Sequence, residues 1–249
     1  MKILITGASS GIGRDMARIL HKMGHDLYLV ARREKMLIDL KEELDQKPRI
    51  IVADLSREEN CNSLYEELKD ENIDILINNA GFGVFGQFLD TDLERELEML
   101  DVNVRALHIL TKKFLKDFEK KNSGYIMNVA SSAAFLPGPL LSSYYATKAY
   151  VYRLTLAIHE ELRRKKSGVR ISVLCPGPVE TEFNKIAGTS FNLKSLPSMK
   201  VSEYAIKKMF KGKLVIIPGL IIRLGVFFQR FLPTKLLLRI SYNIQKSKS

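Results

Sequence analysis

Short apolar runs alternate with longer helical patterns along this chain of 249 residues, and no other feature constrains its fold as strongly. Most of the runs are near-continuous Ile, Leu and Val, as expected of strands in a parallel sheet that is covered on both faces. The pattern predicts an α/β fold: a doubly wound parallel sheet of about seven strands, with helices on both faces and right-handed crossovers. The predicted strands are 2–6, 26–31, 49–53, 73–78, 125–130, 170–175 and 213–217. The predicted helices are 11–23, 34–44, 58–71, a stretch within 91–121, 143–166 and 202–211.

One domain with a short extension is the predicted organisation of the chain. No internal repeat or low-complexity linker divides it before about residue 200. With 46% hydrophobic and 27% charged residues, it can bury a sizeable core. We therefore expect a single domain over residues 1–217 and a basic helical extension over residues 218–249.

The net charge of +11 is concentrated near the end of the chain. Residues 205–249 hold ten of the 39 Lys and Arg and none of the 28 Asp and Glu, which leaves a net charge of +1 for residues 1–204. A nucleic-acid-binding protein would be expected to carry its basic residues across a binding face. The distribution therefore argues against a nucleic-acid partner.

Cysteine usage and the amino terminus bear on the compartment. Cys61 and Cys175 are the only cysteines, too few for a disulfide framework or a metal-ligand cluster, so we predict no metal site and favour a reducing compartment. The apolar run of residues 2–6 is far too short for a signal peptide. These features favour a cytoplasmic location.

Three glycines follow the first predicted strand, at Gly7, Gly11 and Gly13. In this position they would let the backbone approach a pyrophosphate at the amino terminus of the next helix. Their spacing is GxxxGxG, which differs from the GxGxxG of the general dinucleotide fingerprint. Because the turn directly follows the first strand of an α/β chain, it still favours dinucleotide binding over a plain turn.

Tyr144 and Lys148 stand four residues apart in a predicted helix, so their side chains share one face. A nearby ammonium stabilises a phenolate, which predicts a pKa for Tyr144 below the usual value of about 10. Such a phenol could donate a proton to a carbonyl oxygen. Tyr145, three residues before Lys148, could share that face as well, and by itself the pairing is weak evidence.

Taken in order, these motifs resemble those of the short-chain dehydrogenases/reductases over residues 1 to about 181. The resemblance rests on 6–13 (TGASSGIG), Asp54, 78–81 (NNAG), Asn103, Ser131, Tyr144 with Lys148, and 176–177 (PG). It implies a Rossmann-type domain that transfers a hydride between a nicotinamide cofactor and a carbonyl or alcohol group. By the same resemblance, the cofactor-binding residues are Gly7, Ser9, Ser10, Gly11, Ile12, Gly13, Arg32, Arg33, Asp54, Leu55, Asn79, Ala80, Gly81, Tyr144, Lys148, Pro176, Gly177, Val179 and Thr181.

The resemblance also implies four catalytic residues. Tyr144 would be the general acid for carbonyl reduction or the base for alcohol oxidation. Lys148 would lower the pKa of Tyr144 and bond the nicotinamide ribose, and Ser131 would bond the substrate oxygen. Asn103 would interrupt a helix and hold a water in a proton relay to the lysine.

Two adjacent pairs leave the register of the catalytic residues to be decided. The family's spacings place the tyrosine four residues before the lysine and the serine thirteen before the tyrosine, which selects Tyr144 and Ser131. We interpret Tyr145 and Ser132 as packing or supporting residues.

The end of the second strand bears on the choice between nicotinamide cofactors. An NAD enzyme would carry a carboxylate there for the ribose 2′-hydroxyl, but Ala31 occupies that position and Arg32 follows it. A guanidinium suits a 2′-phosphate, so NADP(H) is the preferred prediction and NAD(H) stays open. Ser10 stands where many family members have a Lys or Arg, which weakens the preference.

The substrate region is predicted to be apolar. Residues 82–85 and 135–141 are candidate walls that offer no Arg or Lys, and residues from about 182 to 212 are the candidate lid. A hydrophobic carbonyl compound or alcohol is therefore the favoured small-molecule substrate.

Beyond residue 217 the chain leaves the pattern of the family. Two helices are predicted, 220–232 and 234–245, and in the second Lys235, Arg239, Asn243 and Lys246 form a polar stripe opposite Leu236, Leu237, Ile240 and Ile244. We favour packing of the apolar faces on the domain or on another subunit of a homodimer or homotetramer. Peripheral contact with an anionic membrane surface stays open.

Two other functions fit the sequence less well. A cofactor-binding redox sensor or scaffold would not need Asn103, Ser131, Tyr144 and Lys148 together. A sugar-nucleotide epimerase of the extended family type would carry a larger carboxy-terminal substrate domain than the residues here provide.

Overall fold

The computed structural model describes residues 1–183, 187 and 195–246. Its centre is a seven-stranded parallel sheet in the order β3-β2-β1-β4-β5-β6-β9. These strands are β1 Lys2–Thr6, β2 Asp26–Ala31, β3 Arg49–Val52, β4 Ile75–Asn78, β5 Gly124–Val129, β6 Val169–Leu174 and β9 Val215–Ile216. Two further short strands, β7 Val179–Glu180 and β8 Leu196–Pro197, pair with each other. The predicted doubly wound Rossmann-type sheet is confirmed.

The first seven helices lie between strands, as the alternation predicts, and the last two follow the final strand. They are α1 Gly11–Lys22, α2 Glu34–Glu43, α3 Glu58–Leu68, α4 Leu93–Leu100, α5 Leu107–Lys120, α6 Ser142–Arg164, α7 Ser198–Phe210, α8 Leu220–Phe228 and α9 Thr234–Lys246. Short 3₁₀ helices cover Ser132–Phe135 and Gln229–Phe231.

Alternate strand residues build two core layers, one on each face of the sheet. Ile3 and Ile5 of β1 pack with side chains of α1, α2 and α7, whereas Leu4 packs on the opposite face with α3, α5 and α6. Successive strand residues point to opposite faces, so a run in which every residue is apolar fills both layers. This explains why the strands read as continuous Ile, Leu and Val.

The strand order reverses at β1, which lies between β2 and β4. In open α/β sheets this reversal leaves a crevice at the carboxyl ends of the strands, where ligands bind. Thr6, the last residue of β1, spans the reversal: its Oγ1 accepts the backbone N–H groups of Asn79 and Ala80, at 3.0 and 3.1 Å. The two loops that face the crevice are therefore fixed to each other.

The helical stretch predicted within residues 91–121 is interrupted. Between α4 and α5, residues Asp101–Ala106 form a π-helical turn that contains the buried Asn103. Such turns are rare and are found frequently at functional sites.

The candidate lid of residues 182–212 falls into two parts. Residues 184–186 and 188–194 lie outside the described part of the chain. The later part is helix α7, whose Val201, Ala205 and Met209 are buried in the core against α1 and the sheet. Residues 198–210 are thus a structural layer of the domain.

The extension packs on the domain through polar side chains. In α9, Ser241 and Gln245 are almost fully buried. The hydroxyl of Ser241 donates to the backbone oxygen of Pro137 at 2.8 Å, and the amide of Gln245 contacts the Tyr145 hydroxyl.

The predicted packing of the apolar face of α9 on its own domain is wrong. Leu236, Ile240 and Ile244 are each at least 40% exposed, because the helix turns its polar Ser241 and Gln245 edge inward. Within the described ranges, no helix is long and apolar enough to cross a bilayer.

Candidate active site

A cavity of about 490 Å³ opens in the crevice at the carboxyl ends of the strands. All the residues predicted to bind the cofactor line it except Gly13, and Ser131 lines it as well. The sheet therefore brings together residues that lie up to 176 positions apart, between Gly7 and Phe183. Of the predicted catalytic residues, only Asn103 stands behind the wall.

The glycine turn needs glycine for two physical reasons. Gly7 and Gly11 have φ angles of +66° and +52°, a left-handed conformation that other residues rarely adopt. A Cβ at Gly13 would lie 2.4 Å from the backbone oxygen of Gly7, which explains why Gly13 shapes the turn without lining the cavity. A Cβ at Gly11 would meet Thr181 at 2.8 Å.

Asn79 locks this turn in place. Its side-chain amide donates to the backbone oxygens of Thr6 and Gly7, both at 3.1 Å. A Cβ at Gly7 would come within 2.8 Å of Ala80, so the two loops touch through their backbones. Such a narrow, glycine-walled cradle at the start of α1 fits the pyrophosphate of a dinucleotide.

Arg33 extends over the glycine turn. Its Nη2 donates to the hydroxyls of Ser9 and Ser10, at 3.1 and 2.9 Å, and to Glu182 Oε2 at 2.8 Å. The hydrogen bond from Arg33 lowers the pKa of Glu182, with a smaller contribution from Ser10. A guanidinium and two hydroxyls thus meet where the sequence predicts the cofactor's adenosine end.

Arg32 points towards different partners. Its Nη1 donates to Glu98 Oε1 at 2.5 Å and lies 3.9 Å from Asp54 Oδ1. Asp54 Oδ1 also accepts hydrogen bonds from the backbone N–H and the hydroxyl of Ser56, at 3.1 and 2.9 Å. Ala31, at the end of β2, is buried and offers no carboxylate to this end of the cavity.

Tyr144 lies at the opposite end of the cavity, on the first turns of α6. The centroid of its ring is 5.8 Å from Lys148 Nζ and 5.1 Å from the ring centroid of Phe183. Burial raises the pKa of Tyr144 above its ordinary value, and hydrogen bonding to Ser131 opposes this shift without cancelling it. The predicted lowering of this pKa by Lys148 is therefore not found, because desolvation of the phenol dominates.

Lys148 is itself buried, and its Nζ donates to the backbone oxygen of Val129 at 3.0 Å. Burial lowers the pKa of Lys148 to about 8. A Cβ at Gly81 would lie 3.2 Å from Lys148 Nζ and 2.7 Å from Asn103 Oδ1. Gly81 therefore leaves the space in which the ammonium and the amide lie.

Ser131 caps the 3₁₀ turn that follows β5. Its Oγ accepts the backbone N–H of Ala133 at 3.1 Å, and its hydroxyl lies 3.5 Å from the backbone oxygen of Pro176. The neighbouring Ser132 donates its backbone N–H to the same oxygen at 2.7 Å. Ser131 is thus held at the cavity wall beside Tyr144.

Asn103 uses its side chain to fix the wall behind the lysine. Its Oδ1 accepts the backbone N–H of Phe82 at 3.0 Å, and its Nδ2 donates to the backbone oxygen of Phe82 at 2.8 Å. A third bond runs from Nδ2 to Thr147 Oγ1 at 3.1 Å. Because Thr147 directly precedes Lys148, the π-helical turn is tied to the helix that carries the catalytic pair.

Tyr145 takes a supporting position, in line with the interpretation from the sequence. Its ring lies against Gly138, where a Cβ would come within 2.3 Å of the ring. Its hydroxyl contacts Gln245 of α9, one hundred residues later in the chain. The sequence contains no local signal for this contact, because neither helix propensity nor spacing relates the two positions.

Two further cavity residues were given no role of their own in the sequence analysis: Phe183, which falls within the candidate lid, and Arg95. Phe183 packs on Tyr144, and Gly83 provides the room, since a Cβ there would meet both rings. Arg95 of α4 also lines the cavity, with its guanidinium 4.2 Å from the ring centroid of Phe82 and in contact with Glu98. Arg95 therefore adds a cation to a cavity whose candidate walls, 82–85 and 135–141, offer no Arg or Lys. Arg95 belongs to no motif in the sequence, and only the position of α4 in the fold brings it to the cavity.

The residues at the nicotinamide end of the predicted site lie together on the last loop. Pro176, Gly177, Val179 and Thr181 all line the cavity, and Thr181 Oγ1 accepts the backbone N–H of Phe183 at 3.2 Å. Within the described residues, no group of three or more potential ligand side chains could hold a metal ion.

Comparison with known proteins places the chain among enzymes. A sequence model described as short chain dehydrogenase matches residues 1–190. An uncharacterised oxidoreductase of Staphylococcus epidermidis is 32% identical over 204 residues, which cover 80% of this chain and 86% of that protein. Sulfoacetaldehyde reductase 2 of Chromohalobacter salexigens is 36% identical over 190 residues, covering 74% and 75%.

Solved structures show the same architecture. A short-chain dehydrogenase from Sphingobium yanoikuyae, in complex with NADPH, superposes with a TM-score of 0.84 at 32% identity and covers 92% of this chain and 93% of its own.

Proposed function

Since this chain belongs to the short-chain dehydrogenases/reductases and acts on alcohol or carbonyl groups with a nicotinamide cofactor, we propose that it prefers NADP(H) and a hydrophobic substrate. One observation carries the proposal. A single cavity joins a glycine turn overlaid by Arg33 to a buried end where Tyr144, Ser131 and Lys148 meet.

The residues of the cavity fit a dinucleotide along its whole length. Gly7, Gly11 and the amino terminus of α1 would hold the pyrophosphate, Asp54 and Leu55 the adenine, and the 176–181 loop the nicotinamide. When bound, the cofactor supplies or accepts the hydride. The chain's own residues position the substrate and move the proton.

Tyr144 is the proposed proton donor to the substrate oxygen. Burial raises its pKa and keeps the phenol protonated at neutral pH, which is the form that carbonyl reduction needs. Ser131 would donate a hydrogen bond to the same oxygen and stabilise the negative charge that develops on it. As Tyr144 gives up its proton, the nearby Lys148 ammonium would stabilise the phenolate.

Asn103 would contribute to the proton path by holding the cavity wall in place. Its three hydrogen bonds to Phe82 and Thr147 hold the wall that faces Lys148. We propose that this wall sets the path by which a water reaches the ammonium after proton transfer.

The NADP preference rests on Arg33 as well as on Arg32. Arg33 and the hydroxyls of Ser9 and Ser10 form one cluster of donors beside the turn, and Ala31 supplies no carboxylate for a ribose 2′-hydroxyl. The relative from Sphingobium yanoikuyae, solved with NADPH, supports the same choice.

The substrate proposal follows from the walls around Tyr144. Phe82, Leu141, Tyr145 and Phe183 line this end and present apolar surface. Sites of this kind bind hydrophobic ligands with a few polar groups for orientation. The matching candidate is an apolar ketone or aldehyde.

A second substrate class is favoured by Arg95. Its guanidinium lines the same cavity, and a relative of 36% identity is named for the reduction of an anionic aldehyde. Arg95, however, contacts Glu98 and lies on Phe82, so its charge is already compensated. We therefore rank an anionic carbonyl compound second.

Cofactor and substrate are tested together. The purified chain is titrated with NADPH and NADH, and each is then used with a panel of apolar ketones, apolar aldehydes and a sulfonated aldehyde. We expect turnover with NADPH and the apolar compounds. Turnover of the sulfonated aldehyde alone would favour the second class, and tighter binding of NADH would reject the cofactor assignment. Cofactor binding without any turnover would favour a redox sensor or scaffold.

Assembly and location complete the proposal. We propose a cytoplasmic homodimer or homotetramer. We also propose that it has no nucleic-acid partner, because the excess of basic over acidic residues lies near the end of the chain and not across a binding face. Light scattering of the purified protein tests the assembly, and a monomer at all concentrations would reject it.

A further inference from the structure

The carboxy-terminal extension exposes a large apolar surface. We define this surface by Leu220, Ile221, Phe227, Phe228, Phe231 and Leu236, which are between 44% and 84% exposed. Single exposed apolar residues are common, but a contiguous group of large ones marks an interaction site. The ring of Phe227 packs on those of Phe228 and Phe231, with centroids 5.3 and 5.7 Å apart.

This surface is exposed because other residues of α8 and α9 make the contacts with the domain. In α8, Ile222 packs on Gly177 and Val226 is buried. In α9, Ser241 bonds to the backbone oxygen of Pro137, and Gln245 bonds to Tyr145 in the first turn of α6. The extension is therefore anchored on the domain, and the apolar surface stays exposed while these contacts are made.

Basic side chains frame the apolar surface. Arg223, Arg230, Lys235 and Arg239 are all exposed, and in the described ranges none of the four pairs with a carboxylate. Residues 205–249 contain no Asp or Glu that could neutralise them locally.

We propose that this surface binds an anionic lipid bilayer, with α8 and α9 lying in the plane of the interface. Apolar side chains would enter the boundary between headgroups and acyl chains, while the four basic residues bind lipid phosphates and carboxylates. A second copy of the chain is a poorer occupant. A two-fold interface places the same patch on both subunits and would oppose one set of cations to an identical set.

The surface adjoins the candidate active site. Ile222 of α8 covers Gly177, and Gln245 of α9 contacts Tyr145, and both Gly177 and Tyr145 line the cavity. A bilayer bound here would lie beside the substrate cavity. This point rests on the proposed function and implies a carbonyl substrate that partitions into lipid.

The binding claim is tested with the full chain and sedimented vesicles. We expect binding to an equal mixture of phosphatidylcholine and phosphatidylserine, and little binding to phosphatidylcholine alone. The double variant Arg230→Glu/Arg239→Glu should weaken binding on the order of 100-fold, because each basic residue near an anionic surface contributes appreciably. The control Lys35→Glu/Lys47→Glu carries the same net charge on another face and should bind like the parent.

A second pair of variants tests the apolar part. Ile221→Ser/Phe231→Ser should reduce binding at least tenfold, while Phe88→Ser/Leu89→Ser, which removes equally exposed apolar side chains elsewhere, should not. Absence of vesicle binding by the parent chain would overturn the proposal. So would a loss of binding in each control variant as large as the loss in its test variant. The proposal would also be overturned if the parent chain bound no lipid and Ile221→Ser/Phe231→Ser dissociated an oligomer, because the surface would then be a subunit interface. Reductase activity without lipid is measured separately, so failure of this proposal leaves the proposed function intact.

Discussion

Arg33 and Glu182 form an ion pair across the mouth of the cavity, with Arg33 Nη2 and Glu182 Oε2 2.8 Å apart. The pair joins the second residue after β2 to the start of the loop that follows β7, 149 residues later. The same guanidinium nitrogen contacts the hydroxyls of Ser9 and Ser10. A carboxylate thus competes for the donors that would bind a 2′-phosphate.

Glu182→Gln is therefore expected to strengthen NADPH binding several-fold and to change NADH binding little. The substitution keeps the size of the side chain and removes the competing negative charge. Fluorescence titration of both cofactors measures the ratio. Weaker NADPH binding in the variant would show that Glu182 supports the site and does not compete for it.

Arg33→Ala should weaken NADPH binding about tenfold or more, since hydrogen bonds to charged groups contribute roughly 1.5–3 kcal/mol. NADH binding should change far less. Arg32→Ala should act in the same direction, with a smaller effect because Arg32 is already bonded to Glu98. Equal losses for NADPH and NADH in both variants would contradict the assignment of NADP(H).

Gly13→Ala tests the packing of the glycine turn through stability, separately from catalysis. Its new Cβ would lie 2.4 Å from the backbone oxygen of Gly7, and a destabilisation of roughly 1–3 kcal/mol is expected from such overpacking. Gly225→Ala is the matched control, because nothing lies within 4 Å of its Cβ and alanine favours helix. Urea unfolding should shift in opposite directions for the two variants, and a parallel shift would contradict this account.

The lowered pKa of Lys148 predicts opposite responses of activity and stability to pH. Carbonyl reduction should decline as the pH rises through about 8, because the ammonium that stabilises the Tyr144 phenolate loses its proton. Stability should rise between about 8 and 10.5, since the unfolded chain then binds the proton that the folded chain has released. Urea unfolding at a series of pH values measures this dependence. Lys148→Met should remove the rise in the free energy of unfolding between these pH values, and an unchanged rise would count against the burial of the charge.

The sheet could be predicted from the sequence because its signal is local. Continuous Ile, Leu and Val in runs such as Ile3–Ile5 report burial on both faces, and glycines after β1 report a close backbone approach. The spacing of Ser131, Tyr144 and Lys148 along the chain was enough to predict that they belong to one site, and all three line the cavity.

The parts that could not be predicted depend on distant contacts. The orientation of α9 follows from the contacts of Ser241 with Pro137 and of Gln245 with Tyr145, each about one hundred residues away, while its amphipathic pattern suggested the opposite face. The pKa of Tyr144 follows from burial, which a spacing of four residues cannot reveal. Arg95 enters the cavity because of where α4 lies, and its neighbours in sequence give no sign of it.

The central claim is that Tyr144 delivers the proton to the substrate oxygen, and Tyr144→Phe tests it most directly. Tyr145→Phe is the control, because that ring is adjacent, lines the same cavity and makes its hydroxyl contact with Gln245 outside the proposed chemistry. The measurement is NADPH consumption with a carbonyl substrate, beside a titration of NADPH binding.

Tyr144→Phe should reduce turnover by on the order of 100-fold to 10,000-fold, the range that general acid catalysis contributes, while NADPH binds with nearly unchanged affinity. Tyr145→Phe should keep most of its turnover. Parent-like turnover by Tyr144→Phe, or an equal loss in the two variants, would contradict the account.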